Sequence, residues 1–139
     1  MKEASWDECI TSSSALKTAP DPEKAKSLLK TAKARIEFLE SNELNEKTCN
    51  FIFEGYYSSV LEVIHSLAIK EGFKVNNHLC IGYYLRDYLV RNDLYVIFDD
   101  CRYKRNSLVY YGETMPLSLA TDTIKKLKEL LKELKCQQT

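Results

Sequence analysis

The residues best suited to chemistry lie in CRYKRNSLVYYG, residues 101–112. Arg105 carries a guanidinium group, which can hold a phosphate through two parallel hydrogen bonds. Asn106 stands beside it, and Tyr110 and Tyr111 follow about one helical turn later. A guanidinium and phenol rings at this spacing predict either a phosphate-binding site or a surface that faces another chain, because Arg and Tyr are enriched at buried contacts between proteins.

A helix over this segment places Arg105 on an apolar stripe. At about 100° per residue, one side of the helix must face the core, and Arg105 lies on that side. The stripe contains Leu94, Ile97, Phe98, Cys101 and Leu108. The opposite face gathers Asp99, Arg102, Tyr103, Asn106 and Tyr110.

Three interpretations of Arg105 stay open at this point. Its apolar stem can lie along the core while the charge reaches the surface. It can form a structural ion pair with Asp99, Asp100 or a carboxylate on a neighbouring helix. It can also bind a phosphate in a cleft, where its five N–H donors would be satisfied.

The composition excludes a protein that holds nucleic acid through a general positive field. The 139 residues contain 20 Lys and Arg against 20 Asp and Glu, so any site for a polyanion must be local. The length predicts one domain. No run approaches the ~20 apolar residues of a membrane span, and MKEASWDECITSSSALK lacks a basic-then-apolar signal pattern. We expect a soluble cytoplasmic protein.

The cysteines favour the same expectation. They number five and are scattered without a C-x-x-C pair, which predicts neither a zinc site nor a redox pair. We interpret them as small apolar side chains in a reducing compartment, and we expect no metal and no cofactor. These residues are Cys9, Cys49, Cys80, Cys101 and Cys136.

Apolar residues recur at helical spacing along most of the chain. Asp21 and Pro22 mark the start of a first long helix. A second begins after a break marked by Asn42 and Asn45, runs to about Lys70 and stops at Gly72, and either Asn76 or Asn77 caps a shorter one. The fourth helix carries residues 101–112, and a fifth follows Pro116. Strands are not expected, because no segment shows sustained alternation.

The predicted fold is therefore all-α. We expect an antiparallel bundle of four to five helices, with two long helices and two or three shorter ones, over residues 20–139. Residues 1–19 are predicted to be an N-terminal extension, with a short helix anchored by Trp6 and Ile10.

Most of the chain resembles the HEPN superfamily, small all-helical domains named for nucleotide binding in higher eukaryotes and prokaryotes. The resemblance covers residues from about 20 to 135. It lies in PDPEKAKSLLKTAKARIEFL, FIFEGYYSSVLEVIHSLAIKEGF, NNHLCIGYYLRDYL and YKRNSLVYYGE, the last being the signature segment.

The resemblance implies a homodimer in which two signature segments meet at a cleft. Many members are metal-independent endoribonucleases and toxins of toxin–antitoxin modules, and a minimal nucleotidyltransferase is a common partner. The family's nuclease motif is an Arg, four to six residues and then a His, with a polar residue after the Arg. Arg105 and Asn106 match the first part, whereas Tyr110, Tyr111 and Gly112 stand where the His is expected.

The absent histidine decides between two functions. Metal-free RNA cleavage needs a base for the 2′-hydroxyl proton, and imidazole suits that role, whereas a phenol with an ordinary pKa of about 10 does not. We expect a homodimer that binds RNA, a nucleotide or a nucleotidyltransferase through Arg105 and Asn106. Its binding residues would include Arg102, Tyr103, Lys104 and Tyr111.

The alternative is an active endoribonuclease toxin that uses Tyr110 or a displaced histidine. The chain has two histidines. His65 is predicted to be a boundary residue of the second helix, and His78 a surface or capping residue of the third. Either could reach Arg105 only through tertiary or dimer geometry.

Overall fold

The computed structural model describes residues 2–137, most of which are helical. Within that range the chain forms six α-helices, one π-helical turn and two short strands. In order they are α1 (Trp6–Thr11), β1 (Ala15–Lys17), α2 (Pro22–Glu40), α3 (Cys49–Lys70), β2 (Phe73–Val75), α4 (His78–Tyr83), the π-helix (Tyr84–Tyr88), α5 (Asn92–Tyr111) and α6 (Leu117–Cys136). None of the helices in this range has both the length and the apolar character needed to cross a membrane.

The helix ends follow the capping residues seen in the sequence. The side chain of Asp21 accepts a hydrogen bond from the Lys24 backbone N–H at 3.0 Å, and α2 begins at the next residue, Pro22. Asn77, rather than Asn76, caps α4 by accepting from the Cys80 backbone N–H at 2.8 Å. Gly112 ends α5 in the left-handed conformation. These predictions are confirmed.

Two details of the predicted fold are wrong. The chain has four long helices, of 19 to 22 residues, rather than two. It also has a small antiparallel sheet, in which Ala15 pairs with Val75 and Lys17 with Phe73. The strands were not predicted because each is only three residues long, which is too short to show an alternation of apolar and polar residues.

Helix α3 lies at the centre of the fold. It packs against α2, α5 and α6, and against α4 at its end. Thirteen of its residues are buried, including two serines whose hydroxyls bond to its own carbonyls: Ser59 to Gly55 at 3.0 Å and Ser66 to Val63 at 2.7 Å. Such local bonds satisfy buried hydroxyls without a partner helix.

The N-terminal segment packs against the rest of the chain. Trp6 at the start of α1 is buried, and its ring meets Phe73 and Tyr84 edge-on with centroids 5.4 Å apart. Its backbone N–H donates to Asp87 Oδ2 at 2.8 Å. A disulfide between Cys9 and Cys80 joins α1 to α4 across 71 positions of sequence.

The interpretation of all five cysteines as apolar fillers is therefore wrong for Cys9 and Cys80. It holds for Cys49 and Cys101, which are buried thiols, but not for Cys136, which is exposed. Burial raises the pKa of the Cys101 thiol to about 12, which leaves it unreactive at neutral pH. Disulfides persist in oxidising compartments, so the cysteines no longer favour a cytoplasmic location.

We predict that removing the disulfide destabilises the fold. The cross-link restricts the unfolded chain over a long loop, so Cys9→Ser with Cys80→Ser should lower the free energy of unfolding by about 2–4 kcal/mol. Urea unfolding followed by circular dichroism measures the change. The wild type unfolded in the presence of a thiol reductant is the matched control and should lose about the same stability as the double variant. Equal midpoints for the double variant and the wild type would contradict the pairing.

Candidate functional site

Arg105 lies half-buried on α5, facing the central helix. Its guanidinium carbon is 5.8 Å from the centroid of the Tyr57 ring on α3. Across residues 2–137, no carboxylate oxygen lies within 4 Å of its nitrogens. The face of an aromatic ring attracts a cation but accepts few hydrogen bonds from the N–H groups of that cation. The N–H groups of Arg105 could therefore donate hydrogen bonds to an anionic ligand.

The nearby carboxylates are bound to other cations. Asp99 lies 2.9 Å from Arg102, and Asp100 lies 2.6 Å from Lys104. The structural ion pair considered for Arg105 with Asp99 or Asp100 is therefore absent. Both observed pairs join residues three or four apart on α5, where side chains face each other.

Tyr57 connects Arg105 to a histidine. Its ring is fully buried and stacks on Phe98 at a centroid distance of 5.7 Å. Its hydroxyl oxygen lies 3.1 Å from His78 Nδ1, so the two groups share a hydrogen bond. Burial raises the pKa of Tyr57, although the positive charges of Arg105 and Arg102 oppose that shift. The phenol is therefore protonated at neutral pH and holds the imidazole in one orientation.

His78 is the first residue of α4 and is half-buried. Burial lowers its pKa, and the positive charges of Arg105, His65 and Arg102 lower it further. The imidazole is therefore neutral at pH 7. A neutral imidazole can accept a proton, so the site places a guanidinium group and a base beside the same tyrosine ring.

Both histidines make the fold sensitive to acid. Burial is also the main cause of the lowered pKa of His65. As the pH falls below 6.5, the imidazoles of the unfolded chain become protonated. Those of the folded chain stay neutral to a lower pH, because their pKa values are lower. The free energy of unfolding therefore decreases with acidification, and above pH 6.5 neither histidine contributes.

The sequence pointed to Arg105 but not to its two neighbours. The sequence assigns no function to Tyr57 and predicts that His78 is a surface or capping residue. No local pattern identifies them, because α3, α4 and α5 meet only in the folded chain. The one available signal for His78 was Asn77. Because Asn77 caps α4, the next residue, His78, is the first residue of that helix.

Of the residues predicted to bind, Arg102 and Tyr103 come together. The Arg102 guanidinium carbon is 4.8 Å from the centroid of the Tyr103 ring. Tyr103 is 62% exposed, so the pair offers a ring at the surface, whereas the Arg102 guanidinium is mostly buried and paired with Asp99. Lys104 lies on the same turn, with its ammonium group bonded to Asp100.

The remaining predicted residues lie toward the end of α5. Asn106 is half-buried next to Arg105. Tyr110 and Tyr111 are 68% and 76% exposed, so they project from the last turn rather than into the protein. The structure therefore gathers Arg105 with Tyr57 and His78, and leaves these two tyrosines on the surface.

Comparisons of the chain with protein-family models, with curated proteins and with solved structures find no match. Within the described chain, no group of three or more His, Cys, Asp or Glu is arranged to hold a metal ion.

We predict that Arg105 controls the titration of His78. Arg105→Gln removes a positive charge that lowers the pKa of His78, so that pKa should rise toward its ordinary value of about 6.5. NMR titration of the imidazole protons measures it. His65 is the internal control, because its pKa is lowered by burial and by Lys24 and should not move. Equal shifts of both histidines would contradict the proximity of Arg105 to His78.

Proposed function

We propose that the chain is a HEPN-type homodimeric protein that binds RNA or a nucleotide through Arg105 and Asn106. One observation carries the proposal. Arg105 is half-buried with no carboxylate within 4 Å in residues 2–137, and it lies beside a neutral imidazole. A partly desolvated guanidinium gains most from a ligand that is anionic and accepts several hydrogen bonds, and a phosphate is both.

The aromatic side chains near the site support a nucleic-acid base rather than an inorganic anion. Tyr103, Tyr110 and Tyr111 expose their rings within the last three turns of α5. Base stacking on an exposed aromatic ring is worth about 1–3 kcal/mol per base and tolerates any sequence. Arg102 adds a charge against the Tyr103 ring. Tyr103 and Tyr110 lie on the opposite face of α5 from Arg105, so a strand with a phosphate at Arg105 would have to continue around the helix for its bases to stack on them.

The outer face of α5 supports the dimer. Val96, Tyr103 and Tyr110 are spaced seven residues apart and are all more than half exposed. Apolar residues at this spacing form a continuous line along a helix, as in helices that pair with a copy of themselves. Two copies could meet along this line while each keeps its own Arg105 site, because Arg105 lies on the opposite side of α5 and faces Tyr57 of α3.

Two further parts of the proposal are a minimal nucleotidyltransferase as protein partner and a cytoplasmic location. The first depends on the resemblance to HEPN proteins alone, and the second is the expectation drawn from the sequence itself. The Cys9–Cys80 disulfide bears against the second of these, because such bonds are rare in reducing compartments.

His78 favours a second candidate function, a metal-independent endoribonuclease. With its Nδ1–H donated to the Tyr57 hydroxyl oxygen, neutral His78 would take the proton of the RNA 2′-hydroxyl at Nε2, and the 2′-oxygen would attack phosphorus. The bond to the 5′-oxygen would break, leaving a 2′,3′-cyclic phosphate and a 5′-hydroxyl that takes its proton from water. Arg105 would stabilise the charge on the phosphate oxygens. In this scheme His78, rather than Tyr110, replaces the histidine that α5 lacks.

We predict that Arg105 is required for RNA binding. Arg105→Gln should weaken binding of a short single-stranded RNA at least tenfold, because a charge-assisted hydrogen bond contributes about 1.5–3 kcal/mol. Fluorescence anisotropy in EDTA measures the affinity. Lys125→Gln, an exposed charge on α6, is the matched control and should bind normally. Equal affinities for the two variants would refute the phosphate site.

The same samples separate the two functions. If the protein is a binder, the RNA stays intact over hours on a denaturing gel. If it is a ribonuclease, wild type and Lys125→Gln cut the RNA, while Arg105→Gln and His78→Gln do not. General acid–base assistance is worth about 10²–10⁴-fold in rate, so loss of His78 would be unmistakable.

We predict a dimer of twice 16.1 kDa by light scattering. Tyr103→Glu with Tyr110→Glu places charges in the exposed line of α5 and should give a monomer. Tyr111→Glu is the matched control, because Tyr111 is equally exposed but lies off that line. A wild-type monomer, or a double variant that still pairs, would contradict the proposed interface.

A further inference from the structure

A groove of about 650 Å³ lies over α3, far along the chain from Arg105. Helices α2 and α6 both pack against α3 but have few contacts with each other, so they form the two walls. The floor consists of Ala32, Tyr56 and Val63, all of which are buried. A smaller cavity continues the groove toward Leu44 and shares Tyr56 with it.

Each wall presents a helical face to the groove. Helix α2 contributes Leu29, Lys33, Ile36 and Glu40, and Glu37 lies beside them. From residue 29 to residue 40 the groove extends about 16 Å, which is three helical turns. Helix α6 contributes residues at i, i+3, i+4 and i+7: Lys128, Leu131, Lys132 and Lys135.

The groove has apolar surface at its base and an excess of positive charge along its rim. Four lysines border it, against Glu37 and Glu40. In the described residues, none of these lysine ammonium groups lies within 4 Å of a carboxylate oxygen.

We infer that this groove binds an acidic amphipathic helix of a partner protein. Two helical walls with side chains at i, i+3, i+4 and i+7 accept the apolar face of a third helix, which is a recurrent mode of recognition. The length of the groove matches a helix of three turns. Leucine-like side chains would enter between Leu29, Ile36 and Leu131, and carboxylates on the flanks would meet the lysines.

The experiment uses the whole chain and a labelled probe peptide of about 14 residues. Leucines at i, i+3, i+4 and i+7 form its apolar face, and glutamates form its flanks. A second peptide carries lysines in place of the glutamates. Fluorescence anisotropy should show saturable binding of the glutamate peptide only. Lys128→Glu with Lys132→Glu should weaken that binding at least tenfold and improve binding of the lysine peptide.

The matched control is Lys125→Glu with Lys126→Glu, which makes the same charge change on exposed residues of α6 outside the groove. It should bind the glutamate peptide like the wild type. Equal losses in the two double variants would show a general charge effect and overturn the inference. So would absence of saturable binding up to about millimolar peptide. Displacement of the peptide by dodecanoate, with tighter binding of dodecanoate at the same lysines, would assign the groove to a small anionic amphiphile instead.

Discussion

Tyr57 connects three helices, α3, α4 and α5, at the candidate site. Its backbone belongs to α3, its ring stacks on Phe98 of α5, and its hydroxyl bonds to His78 at the start of α4. The guanidinium of Arg105 lies over the same ring. A buried phenol must find a hydrogen-bond partner, and the imidazole provides one. That requirement fixes the position of His78 relative to Arg105, and the chemistry of the site depends on it.

The neighbouring residue, Tyr56, serves the other side of the molecule. Successive residues on a helix point about 100° apart, so Tyr56 lies in the floor of the groove while Tyr57 faces α5. Lys128 of α6 approaches the Tyr56 ring to 5.3 Å, as Arg105 approaches that of Tyr57. Helix α3 therefore supports two separate cation-bearing surfaces, which explains why so many of its residues are buried.

Much of the fold could be predicted because its signals are local. Asp21 and Gly112 mark helix ends through their own backbone and side-chain geometry, and apolar periodicity identified the long helices. The disulfide and the sheet could not be predicted, because Cys9 and Cys80, like Ala15 and Val75, meet only after folding. The residues of the site also divide into those that the sequence identified and those that it did not. Arg105 stood out as a charge on an apolar stripe, whereas His78 had no unusual sequence context.

The distance between α4 and α5 depends on Gly82. It lies one turn after His78, on the face toward α5, and a Cβ atom there would lie 3.1 Å from the ring of Tyr95 and 3.4 Å from that of Phe98. A larger residue would push α4 outward and carry His78 away from Arg105, while the rings of α5 would lose their packing. A histidine on α5 itself would need no such close approach. Because this chain has its imidazole on a different helix, the site depends on the packing of two helices, and a single methyl group at position 82 is enough to test that dependence.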